Sequence, residues 1–123
     1  VVFLKIMPKL LALIRKKPDI SDKQFKAYYE MNHAPLITSI FPMLHEYKRT
    51  YLVASNMLNG NYTLESEKLD IAYSVITELG FKTHKDLDEF MVIASKDEIV
   101  EMIRKDESNF LLSEKTVMYQ LDQ

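Results

Sequence analysis

Between Leu10 and Val53 the apolar pattern changes period twice, and this restricts the fold more than any other feature of the chain. Leu10-Leu11-Ala12-Leu13-Ile14-Arg15 is a short apolar run, the pattern of a buried strand, and Lys16-Lys17-Pro18-Asp19 ends it. Phe25, Tyr28, Tyr29, Asn32, His33, Leu36, Ile37 and Ile40 then recur at three- and four-residue spacings, one face of a helix. Ser21 and Gln24 have the spacing of a capping box, and Ile20 can staple onto Phe25. Pro35 has no N–H and crowds the turn before it, so the helix is expected to distort near Asn32-His33 and turn polar side chains inward. Pro42 closes it. From Leu44 to Val53 a period of two places His45, Tyr47, Arg49, Tyr51 and Val53 on one face of a strand.

The remaining pattern completes an order. Asn56 to Ser66 is polar, contains Asn59-Gly60-Asn61 and reads as a long loop; Leu69 to Leu79 is a third strand, broken by Gly80. Thr83 caps a helix with Leu87, Phe90, Met91 and Ala94 on its apolar side. Ser95 and Glu98 form a second capping box, opening a helix with Ile99, Met102 and Ile103 inside, and Glu114 to Leu121 is the last strand. The order β-α-β-β-α-β predicts one α+β domain over residues 1–123: a ferredoxin-like, four-stranded antiparallel sheet with both helical layers on one face. The other face is left uncovered, and a second copy across a twofold axis would cover it, so a homodimer is expected.

Composition removes several function classes. With no cysteine there are no disulfides, thiolate metal sites or cysteine nucleophiles. Glycine occurs only at Gly60 and Gly80, which excludes phosphate-cradling loops. Sixteen basic against 18 acidic side chains leave no basic surplus for nucleic acid. The apolar runs are too short for a membrane span, and no signal-peptide cleavage pattern follows the opening, so a cytoplasmic protein is expected. Asn61-Tyr62-Thr63 is a formal glycosylation sequon without other signs of secretion. His33, His45 and His84 are irregularly spaced and no serine sits in a nucleophile elbow, so neither a metal nor a serine nucleophile is expected. The acidic run Asp86, Asp88, Glu89 and the later Lys96-Asp97-Glu98 read as solvated helix faces with carboxylates favoured by the helix dipole. Seven methionines and 11% aromatic residues suit a compliant interior able to hold a flat hydrophobic ligand.

Chemistry is expected around His33. Imidazole takes and returns a proton near neutral pH without a large pKa shift; the plainer reading is a buried histidine that packs the helix kink. His45, Tyr47, Arg49 and Tyr51 form an unusually polar row for a central strand. Facing the first helix, their phenols could orient or protonate a carbonyl oxygen and the arginine could hold a carboxylate or enolate. Facing a partner, they would be an interface.

The stretch from Lys9 to Pro18, then Ser21, Phe25, Tyr28-Tyr29-Glu30 and Asn32-His33-Ala34-Pro35-Leu36, resembles the EthD family, as does the later Asp106-Glu107-Ser108-Asn109-Phe110-Leu111. The resemblance implies a dimeric α+β barrel. Members similar to this chain, many of them fungal, act beside polyketide synthases as cofactor-free dehydratases, cyclases or decarboxylases, while others accompany ether-degrading cytochromes. The family's histidine falls on His33 and its second-strand polar positions on His45, Tyr47 and Tyr51. The expectation is therefore a cofactor-independent lyase or cyclase acting on a hydrophobic, carbonyl-rich, polyketide-like substrate. His33, Tyr47 and Tyr51 would be catalytic, and Tyr28, Tyr29, Asn32, His45, Arg49 and Phe90 would bind substrate. The alternatives are a non-catalytic small-molecule carrier and a cofactor-free monooxygenase on a quinol-like substrate.

Overall fold

Four strands pair in the order β2-β3-β1-β4, every neighbour antiparallel, in a computed structural model that describes residues 6–53 and 73–122. The strands are β1 (Lys9–Ile14), β2 (Glu46–Tyr51), β3 (Val75–Gly80) and β4 (Val117–Gln120). The expected loop over 56–66, the sequon and the beginning of the expected third strand lie outside the described residues. Alternation along β1 and β3 sends Leu10, Ala12, Ile14, Val75, Thr77 and Leu79 to one face, all buried. Every helical layer packs on that face, which is the expected ferredoxin-like α+β arrangement.

Ser21 opens α1 (Asp22–Tyr28) with the anticipated capping box: its hydroxyl accepts from the Gln24 amide at 3.1 Å, and its own amide donates to the Gln24 side chain at 2.9 Å. The helix then widens into a π turn over Tyr29–His33 and resumes as α2 (Ala34–Ile40). The Ala34 amide donates to the Tyr29 carbonyl, five residues back, because Pro35 has no N–H with which to continue the α ladder. The distortion expected from Pro35 thus takes the form of one inserted residue. Tyr29 and His33 both end up buried on the core side.

The second helical region has two pieces, α3 (His84–Ala94) and α4 (Asp97–Glu107). Thr83 caps α3 as expected, accepting from the Asp86 amide at 3.1 Å. The expected Ser95–Glu98 capping box is absent: Lys96 is the residue before α4, and the Ser95 hydroxyl donates back to the Val92 carbonyl, closing α3. Met91 and Met102, expected inside, are exposed; Leu87 and Phe90 carry the buried face of α3, and Ile99 and Ile103 that of α4. β4 begins only after a 3₁₀ turn over Ser113–Lys115, so it is shorter than the expected 114–121.

The core has two centres. One gathers Leu10, Ile37, Phe41, Leu79, Phe81, Leu87 and Phe90 and is wholly apolar. The other gathers Ala12, Ile14, Phe25, Tyr29, Val75, Phe110 and Leu111, with Tyr28, Tyr47 and Tyr51 half-buried against it. Among the described residues, the buried hydroxyl and imidazole groups, Tyr29, His33 and Thr77, belong to this second centre.

Candidate active site

His33 sits at the end of the π turn with only 5% of its surface exposed. Its Nδ1 lies 2.7 Å from Oδ2 of Asp106, near the C-terminus of α4. A carboxylate can only accept, so Nδ1 carries the proton and Nε2 keeps its lone pair. Among the described residues the imidazole bonds a protein group through Nδ1 only, which leaves Nε2 unengaged by them. Rings flank the imidazole: Tyr29 edge-on at 5.2 Å and Phe110 tilted at 5.0 Å, centroid to centroid. Burial pushes the imidazole below its ordinary 6.5, and the Arg49 charge adds to this. The Asp106 carboxylate pulls the other way without overcoming the loss of water. His33 is thus a neutral base at pH 7, oriented by an anion that would steady its protonated form.

Asp106 also accepts from a second donor. The Tyr28 hydroxyl donates to Oδ1 at 2.7 Å and in turn accepts from the Asn109 side-chain amide at 2.9 Å. Burial, followed by this bond to Asp106, holds the Tyr28 phenol above its ordinary range.

A second polar group lies on the β2 and β3 side of Tyr29. The Tyr29 hydroxyl is hydrogen-bonded to the Thr77 hydroxyl at 2.7 Å and accepts from Tyr47 at 3.3 Å. The latter is long for a bond between hydroxyls, so the hydrogen bond that Tyr47 donates is a weak one. Burial drives the Tyr47 phenol far upward, which suits it to donate a hydrogen bond and not to lose its proton.

The third group is a carboxylate fork. Glu30 accepts from Nε of Arg49, from its Nη2 at 2.9 Å and from the Tyr51 hydroxyl. This pairing with Arg49 holds the Glu30 carboxyl below the usual carboxylate range. The guanidinium lies over the Tyr47 ring at 4.6 Å and faces Tyr29 at 5.7 Å. Beside the fork a cavity of ≈ 300 Å³ opens between α1 and the end of β2, lined by Phe25, Lys26, Tyr51, Leu52 and Val53 among others. That volume is at the small end of the range for organic ligands.

Of the residues singled out in sequence, Tyr28, Tyr29, His33, Tyr47, Arg49 and Tyr51 meet here, and the strand row faces the helices. Asn32 is exposed, His45 precedes β2 with an exposed side chain, and Phe90 belongs to the other core centre. The site also contains Asp106, Glu30 and Thr77, which the sequence pattern does not single out. Thr77 was legible as the hydroxyl on the buried parity of Val75 and Leu79. Asp106 stood within the DESNFL element without any local sign that α4 would turn it toward His33. Among the described residues, no group of three or more metal-binding side chains could hold an ion, and no helix is long and apolar enough to cross a membrane.

The EthD domain matches residues 17–113. This chain belongs to the EthD family. Its structure is similar to that of an ethyl tert-butyl ether d (EthD) family protein from Bacillus halodurans, with a TM-score of 0.62, 23% identity, and coverage of 96% of this chain and 99% of that one. It is also similar to a dimeric protein of ferredoxin-like fold from Bacteroides fragilis, at a TM-score of 0.53 and 13% identity over 95% and 96% of the two chains. A third similar structure is that of hydroxynitrile lyase from Passiflora edulis, at a TM-score of 0.58 and 13% identity over 98% of this chain and 97% of that one. Identities this low carry the fold alone. Comparison with curated proteins yields no significant match.

Proposed function

We infer that this EthD-family protein is a cofactor-independent acid–base lyase or cyclase acting on a hydrophobic, carbonyl-rich, polyketide-like molecule. The observation that carries this reading is the His33 Nδ1 to Asp106 Oδ2 contact of 2.7 Å, which leaves the Nε2 lone pair of the neutral ring as the basic position. Nε2 takes the proton from a carbon alpha to a carbonyl, and the C–H electron pair moves into the enolate. Tyr47 gives its weakly held hydrogen bond to the enolate oxygen. The imidazolium, steadied by Asp106, returns the proton to a departing β-hydroxyl, which leaves as water. In a cyclisation the same enolate would attack a second carbonyl. A similar fold is named as a hydroxynitrile lyase, so this architecture accommodates lyase chemistry.

Self-association accompanies the reading. The sheet face away from the helices presents Leu11, Leu13, Ile76, Val117 and Tyr119, with Tyr119 54% exposed, and some proteins of this fold are described as dimeric. A twofold copy would cover that face.

The test is a mass-spectrometric turnover panel of carbonyl-rich aromatic and polyketide-like compounds under anaerobic conditions, with light scattering for the assembly. Loss of water or carbon dioxide without oxygen supports the lyase. Turnover only with oxygen would transfer the reading to the monooxygenase. Retention of a compound without conversion would make the protein a carrier, and a monomer at all concentrations would remove the dimer.

A further inference from the structure

Asp106 serves two donors at once, and the second is Tyr28. The carboxylate receives His33 Nδ1–H on Oδ2 and the Tyr28 hydroxyl on Oδ1, each at 2.7 Å. The direction of the Tyr28 bond is set from behind. Asn109 Nδ2 donates to the phenol oxygen at 2.9 Å, and the same amide is held by the Lys105 and Asp106 carbonyls at 3.2 Å each. An oxygen that accepts from Asn109 turns its own proton to Asp106, so every bond in the chain Asn109, Tyr28, Asp106 has a defined polarity.

The geometry points to Tyr28 as the positioning residue of the site: by sharing Asp106 with the imidazole, its hydroxyl fixes the carboxylate against His33 and sets how strongly that carboxylate holds the ring proton. The inference rests on His33 as the base and adds a group that never touches substrate. A carboxylate with two donors spreads its charge over both; with one donor removed, it concentrates on the one that remains. The other charged or titratable groups facing the ring are Tyr29 in the same turn and Arg49 on β2, and neither bonds Asp106. The Tyr28 ring also packs on Phe110 at 4.9 Å, a contact that phenylalanine would keep. Tyr28→Phe therefore separates the hydroxyl from the packing.

The experiment follows the His33 ring nitrogens by NMR across pH in wild type, Tyr28→Phe, Asp106→Asn and the double variant, each checked for folding by a thermal melt. The Tyr28→Phe variant is expected to titrate at higher pH than wild type, and Asp106→Asn at lower pH. In the Asp106→Asn background the Tyr28→Phe change should have no further effect. An unmoved or lowered His33 midpoint in Tyr28→Phe would overturn the proposal, and so would a shift that survives the loss of the Asp106 charge. The titration needs no substrate, so these outcomes stand apart from any failure to find turnover.

Discussion

The Tyr47 hydroxyl reaches the Tyr29 hydroxyl at 3.3 Å, whereas Tyr51 is bound tightly into the Glu30 carboxylate. Two tyrosines on the same strand parity therefore differ in what they can offer a substrate. Tyr47 can re-aim its proton at little cost; Tyr51 would have to leave a charge-assisted bond. Tyr47→Phe is expected to lower kcat by roughly 10²–10³-fold, the usual effect of losing one oxyanion donor. Tyr51→Phe should leave kcat within a small factor of wild type. Steady-state kinetics on both variants check this, and equal losses would place Tyr51 in the chemistry.

His33 makes both stability and activity depend on pH. Its folded-state pKa lies below the ordinary 6.5 because burial disfavours the charged ring. Between those two values the unfolded chain binds more protons than the folded one, so stability rises with pH there. The contribution is complete above 6.5 and is lost as pH falls through it toward the lower folded value. Urea midpoints from pH 5 to 8 should show this slope in wild type and less of it in His33→Gln. The acid limb of kcat/KM should also fall below 6.5.

Tyr29 is 1% exposed, and its hydroxyl is the partner that satisfies the buried Thr77. Tyr29→Phe leaves Thr77 without that bond and should cost about 1–3 kcal/mol in denaturant unfolding. Adding Thr77→Val to the same chain should recover part of the loss, because both polar partners are then gone.

Gly80 pairs with Glu46 across β2 and β3, and a Cβ at Gly80 would lie 2.9 Å from the Glu46 Cβ. That atom is close to the backbone and cannot swing away, so Gly80→Ala must spread the two strands. A destabilisation of about 1–3 kcal/mol is expected, read from thermal or urea unfolding.

Much of this fold could be read from period and caps, because those signals are local. The capping box at Ser21 and the break at Pro35 depend on residues within one turn of each other. Ser95 misled because the same hydroxyl can cap the helix ahead or close the helix behind, and tertiary packing chose the second. The methionines misled because their long, unbranched chains suit a core and an exposed helix face equally. In the site, His33 was visible from its place beside Pro35. Its partner lies 73 residues further on, and no short-range pattern reports which acidic side chain of a charged helix will turn inward. The row on β2 had a legible parity, but only the packing of Tyr47 and Tyr51 against Phe25 and Tyr29 assigns it to the helical side of the sheet.

In the proposed reaction the Nε2 lone pair of His33 removes a proton from carbon. Wild type and His33→Ala should be incubated without oxygen in heavy water with hydrophobic β-hydroxy and β-keto carbonyl compounds, and deuterium at the alpha carbon followed by mass spectrometry. Wild type should incorporate deuterium and release water or carbon dioxide, with rates in the folded variant lower by roughly 10²–10⁴-fold. Equal incorporation by wild type and the His33→Ala variant would contradict the claim.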